Sequence, residues 1–215
     1  MVTVRVAGES GLLLEVADAG AVAALYRRLL AERERGALGE VAEIVPAART
    51  VLLDGVADPR AVAREVGSWT VTGAVVPDGP LVEVPTVYDG ADLAEAAGYW
   101  GVSEAGAVEL HSGIEYRVAF CGFLPGFGYL TGLPAHLHLP RRATPRAEVP
   151  TGSVAVAGPY TGVYPRSSPG GWQLLGRTEL RLWDPAREPA ALLVPGARVR
   201  FVPVPGGGVP CAGVR

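Results

Sequence analysis

The chain has 215 residues, of which 49% are hydrophobic, with a mean hydropathy of +0.26, enough apolar material for one or two packed domains and too much for a disordered chain. Its 29 glycines and 19 prolines demand many turns and exclude a helical bundle. A net charge of −3 with dispersed basic residues leaves no footprint for nucleic acid or an anionic membrane, and because all 19 basic residues are arginine, Schiff-base, P-loop-lysine and biotin-carrying chemistries are excluded.

In chain order, apolar runs over 2–7 and 12–16 read as strands, followed by a helix over about 19–35. Asp18 is placed to cap that helix, Val22, Leu25, Tyr26 and Leu29 share one face, and Gly36 follows the last charged turn as a stop. Strands over 41–45 and 50–53 come next, then a helix over about 59–68 opened by Asp58 and Pro59. This β β α β β α order predicts a small two-layer α+β domain over 1–78, with a turn-rich boundary at 72–80.

A second domain is predicted over 79–215. It begins with a strand at 81–88, helical patches at 92–99 and 103–111, the latter capped by Ser103, and a strand at 115–121. From there Gly and Pro recur every few residues, and short strands are predicted at 153–156, 172–175, 178–183, 191–194 and 198–202. That spacing implies an all-β, closed or nearly closed barrel with long functional loops. The last ten residues read as a loose tail. No apolar run reaches membrane-span length and the N-terminus lacks signal-peptide features, so a cytoplasmic location is expected. Cys121 and Cys211 have no metal-ligand spacing and read as structural thiols.

Three runs carry the most information: GF-x-PGF-x-YL-x-GLP over 122–134, PRR-x-x-PR-x-x-VP-x-GSV over 140–154 and YP-x-x-SPGGW-x-x-x-GRT over 164–178. Together with Asp92, Leu93, Glu109, Leu110 and His111 upstream, this ordered set resembles the KipI and allophanate hydrolase subunit 1 family, whose members include the B-type subunit of the bacterial ATP-dependent 5-oxoprolinase. The resemblance implies a cyclophilin-like barrel related to the carboxyltransferase portion of urea carboxylase. It also implies action in a hetero-oligomer with a C-type partner (allophanate hydrolase subunit 2 or KipA-like) and an A-type partner, cleaving 5-oxoproline to L-glutamate with ATP as the complex's cofactor. The alternative within the family is a KipI-like regulator that inhibits a sensor histidine kinase. A prolyl isomerase reading has only the barrel analogy behind it.

Opening a lactam needs groups for an anion, for proton transfer and for an oxyanion. Arg141, Arg142 and Arg146 offer forked, permanent charge in a Pro-stiffened segment, either for an anion or as clamps on a long loop; Arg146, between Pro145 and Pro150, is the favoured catalytic candidate. His111 is a second catalytic candidate, with Glu109 beside it, although a regular helix would put the two on different sides. Gly126, Gly170 and Gly171 can expose backbone amides, and Phe123, Phe127, Tyr129, Tyr164 and Trp172 can line a substrate pocket or fill a core. His136 and His138 would share a face of a strand but lack a third ligand, so no metal is expected. The three runs are expected to converge on one face of the barrel.

Overall fold

The computed structural model describes residues 2–71 and 79–206, and the chain divides into two compact units, 1–77 and 78–215. Most of the turn-rich segment at 72–80, the tail from residue 207 and Cys211 lie outside the described residues.

The first unit is one antiparallel sheet with two helices. Strands β1 (Thr3–Ala7), β2 (Gly11–Glu15), β3 (Glu43–Pro46) and β4 (Thr50–Asp54) lie in the order β1-β2-β4-β3. The register sets Leu12 beside Leu53 and Leu14 beside Val51, so a period of two turns all four onto one face, where none is exposed. Helix α1 (Ala19–Glu34) starts where Asp18 accepts a 2.8 Å hydrogen bond from the Ala21 amide. Its residues Val22, Leu25 and Leu29 are buried, and the chain leaves it through Gly36 at φ +73°. Helix α2 (Pro59–Gly67) is capped in the same way by Asp58 and buries Val62 and Val66.

In the second unit, strands β5 (Leu81–Thr86), β6 (Glu115–Cys121), β7 (Gly128–Thr131), β9 (Ser153–Ala157), β10 (Tyr160–Val163), β12 (Gln173–Arg177) and β13 (Arg198–Pro203) form a seven-stranded sheet ordered β12-β9-β10-β7-β6-β13-β5. Only β13 and β5 run parallel among these pairings. Just past β5, Val87 bridges to Arg177 of β12, so the two edges meet and the sheet is a nearly closed barrel. Strands β8 (Arg146–Val149) and β11 (Ser168–Gly170) form a separate two-stranded ribbon. Helices α3 (Leu93–Trp100) and α4 (Glu104–Ser112) lie between β5 and β6 in sequence, and Ser103 caps α4 through the Gly106 amide.

Strand β9, Ser-Val-Ala-Val-Ala, is buried throughout and explains where a site can be built. Val154 and Val156 enter the main barrel core with Tyr116, Leu130 and Phe201, while Ala155 and Ala157 face a second cluster containing Phe127, Tyr164 and Trp172. Alternation thus gives the barrel bulky β-branched filling on one side and leaves room for aromatic rings on the other.

Two predicted strands are corrected. Residues 178–183 and 191–194 pair only through the isolated Trp183–Ala191 bridge, although Leu182 and Leu193 are buried. Their apolar pattern reports burial of irregular chain, where side chains face the core without a ladder. The 135–138 segment is likewise no strand: Ala135–Leu137 is a 3₁₀ turn, His136 is exposed, and His138 Nε2 sits 3.0 Å from the Leu133 carbonyl.

Candidate active site

The three motif runs meet over the Ala155 side of β9. Phe127 is the centre: its ring makes edge-to-face contacts with Phe123, Tyr164 and Trp172 at centroid distances of 5.4 Å each, and with Tyr129 at 5.0 Å. Phe127, Tyr164 and Trp172 are buried, whereas Phe123 is 56% exposed with φ +68°, an uncommon backbone conformation for a residue carrying a Cβ. Gly162 on β10 makes the cluster possible, because a Cβ there would lie 2.9 Å from Phe127 Cζ and 3.1 Å from Trp172 Cζ3.

These rings wall a pocket of about 300 Å³ whose remaining lining is Arg141, Pro145, Pro169, Gly170 and Gly171. Each motif run therefore contributes: the first Phe123, Phe127 and Tyr129, the second Arg141 and Pro145, the third Tyr164 to Trp172. A Cβ on Gly170 would overlap Tyr164 Oη, so the glycine keeps that side of the pocket open. Burial raises the pKa of Tyr129 and Tyr164, with the Arg141 charge opposing it in part, and both phenols remain neutral near pH 7. Arg141 is the one cation in the lining, and among the described residues it has no hydrogen-bond or ion-pair partner.

The other two arginines are committed elsewhere. Arg142 Nη1 and Arg146 Nη2 each donate a 2.7 Å hydrogen bond to Asp92 Oδ1, and Asp92 Oδ2 accepts the Leu174 amide at 2.7 Å. Burial opposes ionisation of this carboxyl, but the hydrogen bonds from Arg146 and Leu174 and the charges of Arg146 and Arg142 hold its pKa below the ordinary carboxylate range. Arg146, expected as a catalytic group, instead clamps the loop to the barrel, because the buried Asp92 carboxylate takes its Nη2 donor. Arg142 and Gly126 also stand outside the pocket lining.

Glu109 and His111 are brought neither together nor to the pocket. Helix α4 is regular to Ser112, which leaves Glu109 exposed and turns His111 fully into the core, against Tyr88, Tyr116 and Phe201. Burial lowers the His111 pKa to about 3, so the imidazole is neutral; Tyr88 Oη lies 2.8 Å from its Nδ1, and Nε2 has no partner among the described residues. Cys121 fits the structural reading: its Sγ donates to the Leu193 carbonyl, and burial pushes its pKa up to about 11. No group of His, Cys, Asp and Glu suited to a metal occurs among the described residues.

Asp92 is the residue of consequence that the motif reading passed over as a site member. No local signal marks it: Asp92 reads as an ordinary helix-opening aspartate, and its partners lie 50 and 54 residues away.

Residues 2–193 match the model of the carboxyltransferase domain, subdomain C and D. The chain belongs to this family. A relative from Escherichia coli O157:H7, named as the B subunit of 5-oxoprolinase, is 56% identical over 138 residues, 63% of this chain and 63% of that one, so the match spans less than two thirds of the relative's length. A Bacillus subtilis relative of the same name is 44% identical over 57% of this chain and 52% of its own. Neither of these two relatives is named as a kinase regulator. The crystal structure of the protein TTHA0988 superposes with a TM-score of 0.74 at 36% identity over 97% of this chain and 41% of that one. Kluyveromyces lactis urea carboxylase shares the fold, with a TM-score of 0.72 at 19% identity over 95% of this chain and 22% of that one.

The pocket does not fit a nucleoside triphosphate. Its lining offers one arginine and two glycine backbones, too few donors for a polyanion, and the chain has no lysine. A lone guanidinium among aromatic walls suits a single carboxylate better than a triphosphate. No helix among the described residues is long and apolar enough to cross a membrane.

Proposed function

We propose that this chain serves as the B-type subunit of an ATP-dependent 5-oxoprolinase, cytoplasmic and hetero-oligomeric, which with A-type and C-type partners hydrolyses 5-oxoproline to L-glutamate. The observation that carries the reading is the aromatic pocket with Arg141 as its one uncommitted cation. 5-Oxoproline is a flat five-membered lactam bearing one carboxylate: the ring suits the faces and edges of Phe127, Tyr129 and Trp172, and the carboxylate suits a guanidinium fork. Aromatic walls also strip water from the ring, which strengthens the hold of Arg141 on the carboxylate.

The lining side chains include neither a carboxylate nor an imidazole, so this chain binds and orients, and proton transfer falls to the partners. The nucleotide is assigned to the partners for the same reason of fit, and the chain by itself is silent. Reconstitution with A-type and C-type partners tests this by measuring glutamate formed from 5-oxoproline with and without ATP. Turnover is expected only from the complete set with ATP; turnover by this chain alone overturns the reading. Arg141→Ala removes a charge-assisted hydrogen bond of roughly 1.5–3 kcal/mol, so kcat/KM of the complex should fall about ten- to a hundredfold with an unchanged melting temperature. Full activity in that variant assigns the carboxylate to another group.

A further inference from the structure

We infer that Asp92 is a positioning residue for the aromatic pocket: it touches no ligand, and it sets the place of Arg141 and Pro145 through Arg142 and Arg146. The inference rests on the pocket being the substrate site proposed above, and it adds the residue that makes that site rigid.

Four observations converge on it. First, the Asp92 carboxylate is withheld from its own helix. Asp92 stands at the N-cap of α3 yet makes no side-chain cap, whereas Asp18, Asp58 and Ser103 all cap theirs. Second, its partners bracket the lining residues. Arg142 follows Arg141 directly, Arg146 follows Pro145 directly, and Leu174 lies two residues beyond Trp172. Third, the clamped segment is tied across the pocket as well, since the Arg142 amide donates to the Gly171 carbonyl at 2.8 Å and Arg146 pairs with Gly170 in the β8–β11 ribbon. One carboxylate thereby holds the second and third motif runs in a single geometry. Fourth, Arg142 Nε and Arg146 Nη1 are buried without a partner among the described residues. A cluster serving stability alone would be expected to satisfy its donors, and buried ion clusters are in any case a weak source of stability compared with apolar filling. What such a cluster supplies here is placement of Arg141 against the aromatic walls.

Asp92→Asn keeps the shape and the capacity to accept one hydrogen bond, but it cannot answer two guanidinium groups and an amide together. In the reconstituted complex, Asp92→Asn should raise KM for 5-oxoproline about tenfold or more while kcat stays within about threefold, because carboxylate binding is lost equally from ground and transition states. In the isolated full chain, amide exchange should accelerate over 140–147 and 168–175 and remain unchanged over 11–54. Wild-type KM with wild-type exchange in those two segments overturns the inference. So does faster exchange throughout 79–206 with KM unchanged, which is the signature of a merely structural clamp. If Asp92→Asn fails to fold, Arg142→Met decides: it keeps the length of the side chain and removes the Nη1 donor to Asp92, and the same KM rise and local exchange are expected, with wild-type values overturning the inference. A wild-type complex that does not turn over 5-oxoproline sinks the proposed function instead, and the exchange pattern alone then decides whether Asp92 positions the pocket.

Discussion

Both units open a helix with aspartate, and they spend the carboxylate differently. In the first unit Asp18 accepts the amide of Ala21, three residues on, and the helix closes on its own sequence. In the second, Asp92 leaves its helix uncapped and reaches Arg142 and Arg146, 50 and 54 residues away. The first unit is stabilised by near neighbours and two-residue periodicity, the second by side chains that bind distant loops to a barrel wall. Loops that must hold a ligand cannot rely on local propensity, so buried charge and glycine shape take its place.

The sharpest test of that contrast is a core truncation in the first unit. Leu25→Ala empties a fully buried site under α1 and should cost about 2–5 kcal/mol, with the loss of exchange protection confined to residues 2–71. Accelerated exchange over 140–175 in this variant would break the distinction between the units.

Acid should act on the second unit through His111. Its folded pKa is depressed from 6.5 to about 3, so between these values the unfolded chain binds a proton that the folded chain refuses. The stability contributed by the neutral imidazole is complete above pH 6.5 and is lost as pH falls toward 3, with a slope of up to about 1.4 kcal/mol per pH unit. Asp92 adds a further loss below its ordinary value of 3.8, since its carboxylate is stabilised in the fold. His111→Phe should flatten the melting-temperature profile between pH 6.5 and 4; an unchanged slope would place the acid sensitivity elsewhere.

Removing a local cap should have a smaller effect. Asp18→Ala is expected to cost about 1 kcal/mol, read from urea unfolding, with the pocket unaffected. The smallest effect is expected at the edge of the first sheet. Val6 on β1 is 75% exposed, and Val6→Lys should shift stability by less than about 0.5 kcal/mol. A larger loss would show that β1 is covered by another surface in solution.

Legibility follows the same division. The β β α β β α order, both aspartate caps and the buried face of α1 were readable because each depends on residues within a few positions of one another. In the second unit, β5, β6, β9, β12 and β13 were readable as apolar runs, whereas β7, β8, β10 and β11 are three or four residues long and contain or adjoin Gly and Pro, too short for a period to show. The motif runs named the pocket's aromatic residues and Arg141 before any fold was in view. They did not separate Arg141 from Arg142 and Arg146, since three arginines within six positions look alike until one buried carboxylate claims two of them.

The sequence by itself determined the family, the two-layer character of the first unit, the all-arginine cation chemistry and the set of residues from which a site had to be drawn. The tertiary structure alone decided that His111 is a neutral core residue and that Arg141 lines the aromatic pocket without an ion-pair partner among the described residues. It also decided that Asp92 joins two motif runs. Each of these depends on which polar groups meet after the chain has closed into a barrel, and burial and partner choice across 50 or more residues have no local signature.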